Sequence, residues 1–458
     1  MKGLGRDLAA LIGPEKVKTD PLDLRAYSSD ATHYFASHDP DAVVLPEATE
    51  QVSQTLKYAF NHSLPVTPRG AGSGLSAGCT PVKGGIVIDL KRMRKIIEIN
   101  RGNMTAQVES GVVLGHFHHA VEKQGLFYPP DPQSLEVCTL GGNVATRAGG
   151  PRGVKYGATG NYVLGLEVAL ADGEVINPGG KCVKQSVGYD LTHLFTGSEG
   201  TLGVITKINL RLLPLPLARK TVLVVAETVE QAANLVTEII AAGTIPAKLE
   251  FLHKGAIGLM NMFIPNKIPL SGEAFLLIEL DGSEAQVEEE ALRVKNLCQE
   301  LKAREVKVVA EEKEAESYWK ARQNLNPVLM SVFKRMINED IAVPRDKIPE
   351  MFRAVEKISR TLGLNIGMSG HAGDGNIHPV ILLSQLSEEI EKKAGIAVEQ
   401  MIKAGLELGG TISGEHGIGL HKAQFLKWEV GEAQIALMKR VKQAFDPSGI
   451  LNPGKIWT

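Results

Sequence analysis

Residues 68–78 read PRGAGSGLSAG, with glycines at 70, 72 and 74. The run leaves the apolar LPVTP and is followed by CTPVKGG and then IVIDL (86–90), which reads as a buried strand. A Rossmann fingerprint needs GxGxxG opening a helix directly after a strand. Here the third glycine comes too early and a strand follows. A Walker loop needs GK[ST], which the run lacks. What survives is a loop without side chains at alternate positions, free to turn successive backbone N–H groups onto an anion. A second glycine-rich segment, TLGGNVATRAGGPRGVKYGATG (139–160), could meet it across a cleft. Two such loops suit a long diphosphate ligand. Tight turns in an irregular domain are the plainer alternative on spacing alone.

The chain of 458 residues has room for two or three domains. Lys plus Arg number 50 against 52 Asp plus Glu, a net charge of −2, so charge gives no reason to expect nucleic acid or an anionic membrane as partner. The N-terminal MKGLGRDLAALIGPEK lacks a signal-peptide core, and no apolar run is long enough for a transmembrane helix. Cys79, Cys138, Cys182 and Cys298 are scattered without CxxC spacing, which speaks against a cysteine-held zinc or iron–sulfur site. A cytoplasmic protein is expected, peripheral to a membrane at most through a partner.

TEQVSQTLKYAFNH predicts an amphipathic helix capped by Thr49, and VLGLEVALADGEVI predicts a hairpin turning at ADGE. Prolines ending VITKINLRLLPLP mark a boundary, so a first domain covers 1–215. Alternating strands and helices follow over 216–420, with a capping box from Thr228 and Gln231 and a charged helix from Ser283 to about Arg304. They predict an α+β layer with helices on one face. A helical segment, 421–458, closes the chain. The acidic EEKEAE (311–316) reads as a solvated helix face, and His116, His118 and His119 as surface or core histidines.

GHAGDGNIHP (370–379) holds the second constellation. On a straight strand His371 and His378 would point to opposite faces, but the GDGN turn lets them converge. Glu415 in SGEHG adds a hard ligand, giving a His–His–Glu set with open positions, against the alternative of satisfied polar turns. His416 stands beside it. A hydroxyl near bulk water's pKa of about 15.7 lies some nine units above a histidine, a cost of about 12 kcal/mol. A cation that lowers a bound hydroxyl towards about 7 removes most of that gap, so His416 can act as general base.

PRGAGSGLSAG, PPDPQS (129–134), LGGNVATRAGG (140–150), TGSEGTLGVITKINLRLLP (196–214), GHAGDGNIHP, SGEHGIG (413–419) and FDPSGILNPGK (445–455) stand in this order. Together they resemble the FAD-linked oxidase/dehydrogenase family of the vanillyl-alcohol oxidase superfamily, in its glycolate oxidase flavoprotein and D-lactate dehydrogenase branch. The resemblance runs over nearly the whole chain. It implies an α+β fold, with a two-lobed PCMH-type FAD-binding domain and an α+β cap built on an antiparallel sheet. It implies that Pro68, Arg69, Gly70, Ala71, Gly72, Ser73, Gly74, Leu75 and Ser76 cradle the pyrophosphate of FAD. Pro130, Asp131, Ser134, Gly142, Asn143, Thr146, Gly149, Gly150 and Gly203 would line the groove, Ile205 would meet the adenine, and Asn452 would close the site. Ser73 and Gly74 stand where some members carry a linking histidine, so non-covalent FAD is expected.

The same resemblance implies a divalent cation (zinc, manganese or iron(II)) on His371, His378 and Glu415, and a substrate carboxylate on Arg322. A surface salt bridge from Arg322 to EEKEAE is the plain alternative. Relatives acting on dicarboxylates tend to carry a lysine in the segment where this chain reads INEDIAVP, with Asn338 in that region, and an asparagine where it has Val380. The expected reaction is therefore oxidation of a small D-2-hydroxy acid, lactate or glycolate, rather than of 2-hydroxyglutarate. Electrons would leave to an iron–sulfur subunit, an electron-transferring flavoprotein, a quinone or a cytochrome. A metallohydrolase and a non-catalytic electron-carrying flavoprotein are the other classes.

Overall fold

The computed structural model describes residues 3–32, 38–265 and 267–457. The chain forms two compact units, one of Met1–Gly149, Ala158–Leu215 and Glu415–Thr458, the other of Gly150–Gly157 and Pro216–Gly414.

In the first unit, β1 (Val17–Lys18), β2 (Ala42–Val44), β3 (Val66–Arg69) and β4 (Ile86–Asp89) make a sheet in the order β1-β2-β4-β3. β2 and β3 both run parallel to β4, so the chain must cross over between them. The crossover holds α1 (Thr49–Asn61), whose Val52, Leu56 and Ala59 are fully buried against Ile86 and Ile88. Thr49 does not cap it: the N-cap is Ala48, and the Thr49 hydroxyl donates instead to Glu167 at 2.5 Å. A carboxylate within reach outcompetes the helix's own N–H groups for that side chain.

A second, antiparallel sheet contains β5 (Ile96–Asn100), β6 (Thr105–Glu109), β7 (Val163–Ala169), β8 (Val175–Ile176) and β9 (Val204–Arg211), in the order β5-β6-β9-β7-β8. β7 and β8 are the expected hairpin, pairing Ala169 with Val175, with Gly173 at φ 88° in the turn.

The second unit is built on an eight-stranded sheet. β10 (Ala218–Ala226), β11 (Lys248–His253), β12 (Ala274–Gly282), β13 (Glu305–Val309), β14 (Arg335–Asn338), β15 (Ile366–His371) and β16 (Asn376–Leu383) lie in the order β13-β10-β12-β11-β15-β16-β14. Ile341–Ala342 adds a short pairing to β16, and all the pairings are antiparallel.

Helices cover both faces rather than one. On one side α2 (Glu312–Gln323) and α3 (Leu325–Val332) pack Tyr318, Ala321, Leu325 and Leu329 onto Leu223, Val225, Leu252 and Leu277. On the other, Phe352 of α4 (Ile348–Leu362) lies over Phe251 with ring centroids 4.3 Å apart. The strands announce this: AFLLIEL is apolar at consecutive positions, which only a sheet buried on both sides requires.

Among the described residues, no helix is long and apolar enough to cross a membrane.

Candidate active site

In the first unit the two glycine-rich segments touch. A Cβ on Gly70 would lie 2.3 Å from the Thr139 hydroxyl and 3.7 Å from the Gly142 Cα. Thr139 in turn caps Leu140–Thr146, accepting from the Gly142 amide at 3.3 Å. Gly72 has φ 73°, so a side chain is strained there whatever the space. Its carbonyl accepts from Ala31 N at 3.0 Å, and Thr32 Oγ1 accepts from Ala77 N at 2.9 Å. Arg69 donates to the Ser29 carbonyl at 2.8 Å and lies 5.5 Å from the Tyr27 ring centroid.

The C-terminal tail fixes the loop's far end. Asn452 donates through Nδ2 to the carbonyls of Gly78 (2.9 Å) and Glu199 (2.7 Å), while Lys455 donates to the Thr80 carbonyl at 2.6 Å. Glu199, itself buried, accepts from Ile418 N and Gly419 N, each at 2.8 Å. Asn452 Oδ1 is left buried without a hydrogen-bond partner, and so is Asp30 Oδ2, which lies 3.7 Å from the Cβ position of Gly74. Burial raises the Asp30 carboxyl's pKa, against the opposing pull of Thr32, Arg69 and Lys455. That direction disfavours the charged form of the carboxyl beside the loop. Orphaned polar atoms beside positions closed to side chains fit a long polar cofactor such as FAD.

Other residues of the expected groove also make framework contacts. The Pro130 carbonyl contacts a ring nitrogen of His118 at 3.0 Å, and Ser134 accepts from the Val137 and Cys138 amides in a turn. Asp131 and Asn143 are buried, and Thr146 bonds back to the Gly142 carbonyl. Ile205 is buried in β9, beside a register shift, with its carbonyl accepting from Ser110. At Gly203 a Cβ would meet Val168 at 2.5 Å, so its missing side chain serves core packing. Gly149 and Gly150 straddle the boundary between the two units. Glu415 and His416 lie on the first unit's side: a Cβ on Gly149 would fall 2.6 Å from Glu415 Oε2, and the His416 carbonyl accepts from Ser76 at 3.0 Å.

In the second unit the register of the β15–β16 hairpin brings the histidines together. His378 pairs with Ser369, two residues before His371, so both rings stand on one face. Their centroids are 5.0 Å apart at 82°. β11 pairs Phe251 with Gly370, which sets Glu250 opposite His371 on the same face. Glu250 Oε1 lies 2.5 Å from His371 Nδ1, and Oε2 lies 2.8 Å from Arg322 Nη2, all three residues being buried. Arg322 therefore leaves the acidic run of its own helix; within that run Glu314 pairs with Lys307.

Burial alone would raise the Glu250 pKa, but the charges of His371 and Arg322 outweigh it and hold the carboxyl below its ordinary range. An ionised carboxylate can only accept, so Nδ1 of His371 carries the proton on the Glu250 side. Asp340, fully buried, lies 3.9 Å from His378 Nδ1 and accepts from the Ser413 hydroxyl at 2.8 Å. A Cβ on Gly414 would fall 2.7 Å from the Asn376 carboxamide. The second unit thus holds the chain up to Gly414, and the return to the first comes at Glu415, ahead of His421.

Glu250 and Asp340 were not singled out from the sequence. The signal for Glu250 was a lone carboxylate inside the apolar strand KLEFL, which has to be paired if it is buried.

Residues 40–179 match the FAD binding domain family and residues 215–456 match the FAD linked oxidases, C-terminal domain family. The glycolate oxidase subunit GlcD of Bacillus subtilis is 41% identical over all of this chain and 97% of its own length. A D-lactate dehydrogenase of Archaeoglobus fulgidus is 39% identical over 90% of each chain. Among solved structures, p-cresol methylhydroxylase superposes with a TM-score of 0.82 at 20% identity, covering 99% of this chain and 96% of that one, a likeness of fold. The two domain matches and the similarity along the full length establish that this chain belongs to the FAD-linked oxidase family, with an FAD-binding domain followed by an FAD-linked oxidase C-terminal domain.

Proposed function

We propose that the protein oxidises a small 2-hydroxy acid, D-lactate or glycolate, to the 2-oxo acid. The observation that carries this reading is the buried Arg322 held beside the His371–His378 pair through Glu250. The names of the Bacillus and Archaeoglobus relatives support the substrate class. Bound by the first unit, FAD would supply the acceptor for a hydride from the α-carbon. His371, His378 and Glu415 would hold a divalent cation, zinc, manganese or iron(II), which would supply the Lewis acid that lowers the hydroxyl's pKa.

The chain's own groups would do the rest. Arg322 presents a planar guanidinium suited to a two-point grip on the carboxylate. A ring nitrogen of His416 would take the hydroxyl proton. Beyond His378 on the same face stand Val380 and, paired across the strands, Asn338. Val380 is packed in the apolar cluster with Leu252 and Leu277 and offers nothing to a second carboxylate, which favours a small monocarboxylic acid over 2-hydroxyglutarate. Electrons would pass to a partner, an iron–sulfur subunit, electron-transferring flavoprotein, quinone or cytochrome. The word subunit in the Bacillus relative's name supports an assembly.

An anaerobic absorption spectrum of the purified protein tests this. D-lactate or glycolate should bleach an oxidised flavin band while L-lactate leaves it, and His416→Ala should slow the bleaching by roughly 10²–10⁴-fold with flavin still bound. A band indifferent to every hydroxy acid would overturn the substrate reading and favour an electron carrier. Absence of flavin would overturn the reading of the glycine loops.

A further inference from the structure

Glu250 stands between two groups that the proposed reaction uses for different purposes. His371 would bind the cation and Arg322 the substrate carboxylate, and each faces a different oxygen of this one carboxylate, at 2.5 and 2.8 Å. We propose that Glu250 is a positioning residue that sets the cation site and the carboxylate clamp together. This rests on the reading of the site given above.

A counter-ion for a buried guanidinium is the simpler role, and the same sheet face shows what that looks like. Lys248 and Glu279, paired across β11 and β12, make a partly buried salt bridge at 3.1 Å. Glu250 does more. Its strand register places it opposite His371, and its Oε1 occupies the ring nitrogen that the cation must not use, fixing the tautomer and the ring plane. Its Oε2 holds a guanidinium that arrives from α2, on another element. The carboxylate is completely buried, so no water can replace either contact.

The chemistry of the side chain makes the double role specific. His371 Nδ1–H and the Arg322 guanidinium both need an acceptor. A carboxylate offers two acceptor oxygens, whereas a glutamine offers one and turns an NH₂ towards the other partner. Glu250→Gln therefore keeps the shape but satisfies only one of the two groups at a time. Glu250→Asp keeps the charge but is too short to span both.

The experiment uses the FAD-loaded protein and reads zinc affinity, by competition with a chromophoric chelator, beside KM and kcat for D-lactate. Glu250→Gln should keep the flavin band, weaken zinc by roughly 10–100-fold and raise KM. In an Arg322→Met background it should still weaken zinc but no longer move KM. If Glu250→Gln does not fold, Glu250→Asp carries the same two readouts with the charge retained. Zinc affinity and KM both at the wild-type values in a folded variant would overturn the proposal. A wild-type protein that takes up no zinc would instead overturn the reading of the cation site on which the proposal stands.

Discussion

Lys455 is an ammonium buried to 2% exposure. Burial pushes its pKa from 10.5 down to about 8, against the pull of Cys79, Asp30 and Glu199. Below pH 8 both folded and unfolded chains carry the charge, and the folded state bears the cost of burying it. Between about 8 and 10.5 only the unfolded chain holds the proton, so this group's contribution to stability rises with pH. Cys79 works the other way: burial pushes its thiol from 9.0 to about 11, so its contribution falls as pH rises above 9. Cys79 is present in both proteins of a wild-type and Lys455→Met comparison, so that comparison isolates the lysine. Between pH 8 and 9 the stability of flavin-free wild type should gain on that of Lys455→Met by about 1 kcal/mol. Denaturant unfolding at the two pH values checks it, and a flat difference would mean that the ammonium is hydrated. Gly70 gives the second residue-scale test. Ala there would put a methyl 2.3 Å from the Thr139 hydroxyl, so the two loops must part and FAD should bind more weakly, read as flavin content after dialysis.

At the scale of elements, the helix Val229–Ala241 carries a cap that the sequence announced. Thr228 Oγ1 accepts from Gln231 N at 3.1 Å, and Gln231 reaches back to accept from Glu227 N at 2.8 Å. Thr228→Ala should cost about 1 kcal/mol in chemical denaturation and leave flavin content unchanged. Such signals are legible because they are local: the cap, the ADGE hairpin and the apolar strands each depend on a few consecutive residues. Convergence of His371 and His378 was also legible, since the GDGN turn makes their odd spacing a same-face pair once the hairpin closes. The partners of Arg322 were not. Glu250 is 72 residues earlier in the chain, and only the register of β11 against β15 brings it there. The failed cap at Thr49 has the same cause, a carboxylate at Glu167 delivered by another sheet. Covering helices on both faces could have been read from AFLLIEL, where apolar residues do not alternate.

For the whole molecule, the division of labour between the two units makes a separable prediction. The 68–78 loop, residues 139–149, Asn452 and the tail belong to the first unit, while His371, His378, Glu250 and Arg322 belong to the second. On the proposed reading, holding FAD on the loops and polarising a hydroxyl would be tasks for different residues. Dialysis against a strong chelator should therefore strip the cation and leave the flavin band in place. The stripped protein should retain FAD yet no longer be reduced by D-lactate or glycolate under anaerobic conditions. An imidazole base would then face a hydroxyl near bulk water's pKa of about 15.7, about nine units above the reference histidine value, a cost of about 12 kcal/mol. Adding back zinc or manganese should restore reduction without adding flavin. Loss of flavin together with the metal would mean that the cation supports the cofactor site, and undiminished reduction after complete metal removal would mean that His416 deprotonates the hydroxyl without a Lewis acid.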